Sequence, residues 1–188
     1  LGFIPKAVSN FTKNVEMLFN KKRDLLIVVG GGSLPPEMYD RPHEDELQPH
    51  RDRMEEQVIH YCVAHGIPII ATCRGMQYIN VMFGGKLRYH PDLPVERKRG
   101  VDHQVWLIKE ERNIWVNNYH DDCIFEADLA PCFEPLALDR ENGIVEAFGS
   151  DEMKILALQW HPERRFETAN AYEETRKIML NFIQKYVR

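Results

Sequence analysis

Ile67-Pro68-Ile69-Ile70-Ala71-Thr72-Cys73-Arg74-Gly75-Met76-Gln77 joins an apolar run, a small polar residue, a cysteine and the start of a helical pattern without a break. The apolar run predicts a buried strand over 67–72. A helix is predicted over Gly75 to Phe83, closed by Gly84-Gly85. Upstream, Met54, Val58, Tyr61 and Cys62 recur at helical spacing, which predicts a helix from Asp52 to His65 ended by Gly66. Further upstream, Leu25-Leu26-Ile27-Val28-Val29 reads as another buried strand, running into Gly30-Gly31-Gly32. Strand, helix, strand, helix with continuous apolar strands implies an α/β domain. Its central sheet is expected to be mostly parallel, with helices on both faces.

Downstream the chain becomes more β-like, with candidate strands at 105–108, 114–116, 143–148 and 155–160. A last helix is expected over 169–186, packing through Tyr172, Ile178, Met179, Phe182 and Ile183. Between Gly32 and the first helix, Pro35, Pro36, Pro42 and Pro49 exclude a continuous helix. His43 and His50 stand among acids in this stretch, which reads as a mobile lid. With 188 residues and no repeat or linker, the chain reads as one domain spanning 1–188.

Composition narrows the function classes. Hydrophobic residues make up 44% and charged residues 28%, an ordinary globular balance. The net charge of -5 is dispersed. The one dense basic patch, Glu96-Arg97-Lys98-Arg99, is short and reads as a solvated loop, so no nucleic-acid partner is expected. No apolar stretch approaches the roughly 20 residues of a membrane span, so no membrane partner is expected either. Cys62, Cys73, Cys123 and Cys132 are scattered with no CxxC pair, which points to a reducing, cytoplasmic setting. The eight histidines are dispersed, and no metal or cofactor is expected.

The chemistry centres on Cys73. A nucleophile at a sharp strand-to-helix turn is the elbow arrangement, with sulfur in place of hydroxyl. Gly75 permits close backbone approach, and a helix N-terminus favours thiolate and aims free N–H groups at a nascent oxyanion. Alone, this pattern is equally that of a buried core thiol. Leu158-Gln159-Trp160-His161-Pro162-Glu163 adds a histidine directly after an apolar run, with a carboxylate two residues on. A thiol needs a base, and the base needs a group fixing its ring, so His161 and Glu163 suit those roles. Without the cysteine elbow the pair would read as a surface ion pair. Gly30-Gly31-Gly32-Ser33 supplies the third element, glycines whose N–H groups can converge on a charged atom. A phosphate loop would need GxxxxGK[ST] or a spaced GxGxxG, and neither is present. A simple sharp turn remains the competing reading.

Taken in order, Gly-Gly-Gly before Pro35-Pro36-Glu37-Met38-Tyr39, Cys73-Arg74-Gly75-Met76-Gln77 and Gln159-Trp160-His161-Pro162-Glu163 resemble the class I glutamine amidotransferase-like superfamily. Within it, the resemblance is strongest to the γ-glutamyl-γ-aminobutyrate hydrolase group. It implies a flavodoxin-like three-layer sandwich and a Cys73–His161–Glu163 triad. The implied reaction hydrolyses a small γ-glutamyl amide through a γ-glutamyl thioester. It further implies oxyanion donors at the backbones of Gly31 and Arg74, with substrate contacts from Gly32 and Gln77. Val116-Asn117-Asn118-Tyr119-His120 matches a segment commonly written Val-Asn-Ser-Tyr-His, which implies that Asn118, Tyr119 and His120 line the glutamyl pocket.

Several positions depart from the pattern. Ser33 stands where Asp is common and Asn118 where Ser is common. Asp121-Asp122 replaces a neutral pair, a change expected to disfavour an anionic leaving portion and favour a cationic one. Leu1-Gly2-Phe3-Ile4-Pro5 resembles the family's second strand, so an earlier strand and helix would be missing. The same thioester also begins the glutaminase reaction of an amidotransferase that hands ammonia to a synthase partner. That alternative, a homodimer, and a non-enzymatic binding module all stay open at the level of sequence.

Overall fold

The computed structural model describes residues 4–20, 24–39, 47–89 and 99–187. Among these residues, nine strands and three helices fall in chain order as β1 (Leu26–Val28), α1 (Pro49–His65), β2 (Ile69–Thr72), α2 (Arg74–Met82), β3 (Arg88–Tyr89), β4 (Asp102–Leu107), β5 (Arg112–Asn117), β6 (Asp122–Cys123), β7 (Glu134–Asp139), β8 (Ile144–Ser150), β9 (Ile155–Leu158) and α3 (Ala171–Tyr186). Seven strands form one sheet in the order β1-β2-β9-β8-β7-β4-β5, while β3 and β6 pair apart from it. β1, β2 and β9 run parallel, and every later neighbour pair is antiparallel. The fold is the expected flavodoxin-like class, but the sheet is mixed rather than mostly parallel. Only its three-stranded end, β1, β2 and β9, runs parallel, because β4 and β5, and then β7, β8 and β9, follow one another through short antiparallel connections.

Alternation along the central strands builds two cores. In β2 all four residues are buried. Ile69 and Ala71, with Ile155 and Ala157 of β9, face the cluster that contains Met54, Val58 and Cys62 of α1 and Met76 and Ile79 of α2. Ile70, with Leu156 and Leu158, faces the opposite cluster, against which Ile178, Met179, Phe182 and Ile183 of α3 pack. The period of two in a strand therefore divides one apolar run between two layers of helix. Tyr172 does not join this face; it is 55% exposed.

Element ends follow local chemistry. α1 begins at Pro49, three residues before the expected start, because proline's fixed φ suits the first helical position and its missing N–H would have had no helical partner there. His50 thus belongs to the first turn of α1 rather than to a lid, while His43 lies outside the described residues. Gly66 ends α1 in the left-handed conformation (φ 65°), which would cost another residue about 1 kcal/mol or more. β7 was not among the expected strands, and its Pro135 is a residue that disfavours an interior strand. Register shifts on either side of Ala137 absorb it. Leu1–Phe3 lie outside the described residues, and Ile4 and Pro5 form no strand. Glu96–Lys98 are likewise outside; Arg99 is described and reaches the site below.

Candidate active site

The elbow is present at the C-terminal end of β2. Cys73 has φ 50° and ψ -113°, a conformation that costs a non-glycine residue on the order of 1–3 kcal/mol. Its neighbours hold it there. The Cys73 N–H donates to the Leu158 carbonyl at 2.8 Å, and its own carbonyl accepts from the Gln77 N–H at 3.1 Å, starting α2. Gly75 is required by contact rather than by φ: a Cβ there would lie 2.5 Å from the Val28 carbonyl oxygen. The sulfur is buried, and burial pushes its thiol up to about 11. The Arg74 backbone N–H and the Arg164 and Arg99 guanidinium groups pull the other way without overcoming it. The expected thiolate is therefore a neutral thiol at rest, because desolvation outweighs the helix N-terminus.

β9 is the parallel neighbour of β2, with Thr72 level with Leu158, so Cys73 and His161 leave the same end of adjacent strands. His161 is buried, and its Nδ1 lies 2.6 Å from Oε1 of Glu163, whose side chain is 57% exposed. A carboxylate partner fixes the proton on Nδ1 and leaves Nε2 as an acceptor. Burial holds the imidazole below its ordinary value, and Glu163 pulls it partly back. The backbone is fixed by Asn117 at the end of β5, which donates Nδ2 to the His161 carbonyl and accepts the His161 N–H at Oδ1, each at 2.9 Å. Tyr119 meets the ring edge-on with centroids 5.6 Å apart. Tyr119 is itself covered by the Arg164 guanidinium at 4.3 Å, and its carbonyl accepts from Arg99 at 3.2 Å.

The glycine segment closes against the same histidine. A Cβ on Gly30 would sit 2.6 Å from His161 Cε1, and one on Gly31 would strike the Arg51 guanidinium and lie 3.1 Å from Arg74 Cδ. Both glycines have negative φ, so here they serve close approach rather than an unusual turn. Arg74 is buried and ion-paired through its side chain to Asp52 and to Glu55 of α1. Gly32 is part-buried beside them.

Of the remaining expected pocket residues, Gln77, His120 and Asn118 are linked by hydrogen bonds. Gln77 donates Nε2 to the Asp122 carbonyl at 3.2 Å and to Gln159 Oε1 at 3.3 Å, while His120 Nδ1 donates to that same carbonyl at 2.9 Å. Asn118 is fully buried, and its carbonyl accepts the Gly100 N–H at 2.6 Å. Behind them the buried Glu146 carboxylate lies 3.5 Å from His103 Nε2 and 3.8 Å from His120 Nε2. Of the two extra carboxylates, only Asp121 is exposed; Asp122 is buried and accepts from the Tyr39 hydroxyl. Sequence did not single out Asn117, Arg51, Asp52, Glu55 or Glu146. Asn117 alone carried a signal, lying inside a motif already quoted.

The Peptidase C26 family model matches residues 9–163. The chain belongs to that family, within the class I glutamine amidotransferase-like superfamily. It is 29% identical to the glutamine amidotransferase-like protein YvdE of Lactococcus lactis subsp. lactis, covering 84% of this chain and 73% of that one. It is 28% identical to γ-glutamyl-γ-aminobutyrate hydrolase PuuD of Escherichia coli, covering 79% of this chain and 67% of that one. Against Protein NtpR of Enterococcus hirae the identity is 30%, over 74% of this chain and 66% of the relative. The chain thus spans about two thirds to three quarters of these relatives. In fold it resembles a GMP synthase subunit-like protein from Thermoplasma acidophilum, with TM-score 0.64 at 22% identity over 96% of this chain and 84% of that one.

Proposed function

We propose that the chain is a cysteine-dependent hydrolase of small γ-glutamyl amides. The observation that carries this reading is the convergence of strand ends. Cys73 follows β2, His161 follows its parallel neighbour β9, and Gly30 follows β1 and packs on the His161 ring. Glu163 orients His161 so that Nε2 is free to accept the Cys73 proton as sulfur attacks the γ-carbonyl carbon. The N–H groups of Gly31 and Arg74 receive the oxygen as its charge develops, an interaction typically worth about 10²–10³ in rate per donor. As the tetrahedral intermediate collapses, the C–N bond breaks and His161 gives its proton to the departing amine, leaving a γ-glutamyl thioester. His161 then deprotonates water, which attacks the thioester; the C–S bond breaks, the imidazolium returns its proton to sulfur, and glutamate leaves.

A neutral thiol and a neutral imidazole at adjacent strand ends suit this sequence, since the proton moves only when the electrophile is in place. Gln77, Asn118, Tyr119, His120 and Gly32 would form the surface that receives the glutamyl portion. Glutamate release by the purified chain from a panel of γ-glutamyl amines, with Cys73→Ala as control, tests the reading. A folded sample that releases none overturns it. Activity confined to glutamine and dependent on an added synthase would instead favour the ammonia-delivering alternative.

A further inference from the structure

The two segments proposed to supply oxyanion donors are held by one turn of one helix. Arg51 of α1 donates Nη2 to the Val29 carbonyl at 2.6 Å and Nη1 to the Gly30 carbonyl at 3.1 Å. Its Nε donates to Glu55 Oε1 at 2.6 Å, and the other oxygen of Glu55 accepts Arg74 Nη1 at 2.7 Å. Asp52, next to Arg51, takes the second arm of Arg74. The network therefore runs from the Gly30 carbonyl through Arg51, Glu55 and Arg74 to the residue whose N–H lies beside the sulfur.

Peptide geometry gives this a consequence. In a trans peptide the N–H points opposite to the carbonyl, so tying the Gly30 carbonyl to α1 turns the Gly31 N–H away from α1. A loop of three glycines has little intrinsic preference for that orientation over a flipped one. Only a planar group with donors on all three nitrogens can reach two successive carbonyls and a carboxylate together, which lysine cannot reproduce. A Cβ on Gly31 would enter the space the Arg51 guanidinium occupies and would have to displace it.

We infer that Arg51 is a positioning residue that presets the oxyanion hole by fixing the Gly30–Gly31 peptide and, through Glu55, its register with Arg74. This rests on the γ-glutamyl hydrolase reading, and it touches neither substrate nor sulfur directly.

The test compares wild type, Arg51→Lys and Arg51→Met. Loss of one oxyanion donor predicts a fall in kcat of about 10²-fold or more for Arg51→Met, with KM within about threefold and Arg51→Lys in between. Alkylation of Cys73 by iodoacetamide, a displacement that builds no oxyanion, should stay within about twofold of wild type. A kcat within about threefold of wild type overturns the inference. So does a parallel loss of kcat and alkylation rate, which would mark a general structural role. If the wild type hydrolyses no γ-glutamyl amide, the functional reading fails, and the peptide is then read directly. The Gly31 amide should give one sharp resonance in wild type and a broadened or doubled one in Arg51→Met. An unchanged resonance overturns the positioning role.

Discussion

Asn117 and His161 exchange two hydrogen bonds across the site, amide to carbonyl and backbone N–H to amide oxygen, both at 2.9 Å. Both residues are buried, so neither broken end of this pair has water to turn to. A side chain from one edge strand thereby sets where the histidine's main chain sits at the end of β9.

Asn117→Ala leaves a buried N–H and a buried carbonyl on His161 unsatisfied, at about 1–3 kcal/mol each. Urea denaturation should show a loss of that order, with kcat falling beyond what the lost fold accounts for. Asn117→Asp keeps the acceptor but sets a carboxylate against the His161 carbonyl, so it should be no less damaging. Wild-type stability in both variants would remove Asn117 from the support of the site.

Gly30→Ala places a methyl group 2.6 Å from His161 Cε1, so the ring must move. A displacement near 1 Å at a reacting group costs about 10²-fold. Steady-state kinetics should show a drop of that size with only a modest fall in melting temperature. Gly75→Ala meets the Val28 backbone instead, and should act on folding first.

The proton inventory predicts the pH profile. Burial lowers His161, so the base becomes available as pH rises through a value below 6.5, and kcat/KM should rise there and hold through neutrality. Glu163 raises the imidazole, so Glu163→Gln should shift this acid limb to lower pH while reducing kcat. The resting thiol titrates at about 11, so iodoacetamide labelling of the free enzyme should still be climbing above pH 9. The unfolded chain binds a proton on His161 more readily, so the stability due to a neutral imidazole is present above pH 6.5 and declines as pH falls below it. Stability due to the neutral Cys73 thiol is lost as pH rises from about 9 to about 11.

Glu146 is fully buried between His103 and His120. Glu146→Ala removes the shared carboxylate and should destabilise by about 3 kcal/mol or more in denaturant titration. His120 would then lose an anchor, and KM for a γ-glutamyl amide should rise. A variant with unchanged stability and KM would detach this cluster from the pocket.

The parts of the site legible in sequence were those whose signal is local. The strand before Cys73, the helix after it and the glycine in that helix's first turn are consecutive, and the apolar run before His161 is equally compact. Charges three or four apart on a helix, as at Arg51, Asp52 and Glu55, look the same whether they face solvent or bind a neighbouring loop. That ambiguity hid the network behind the glycines. β7 was hidden because Pro135 signals the end of a strand unless a bulge takes it up, and pairing across a sheet leaves no local trace. The thiol's raised value was missed because a helix end is visible in sequence, whereas the depth at which the sulfur lies is not.

β9 is the last strand among the described residues, yet it slots between β2 and β8. During synthesis Cys73 therefore emerges well before His161, and the ends of β2 and β9 come side by side only when this late strand inserts. On the proposed mechanism, a nascent chain arrested before β9 would hold its cysteine without the His161 proton acceptor, and hydrolysis would start only once the sheet is closed.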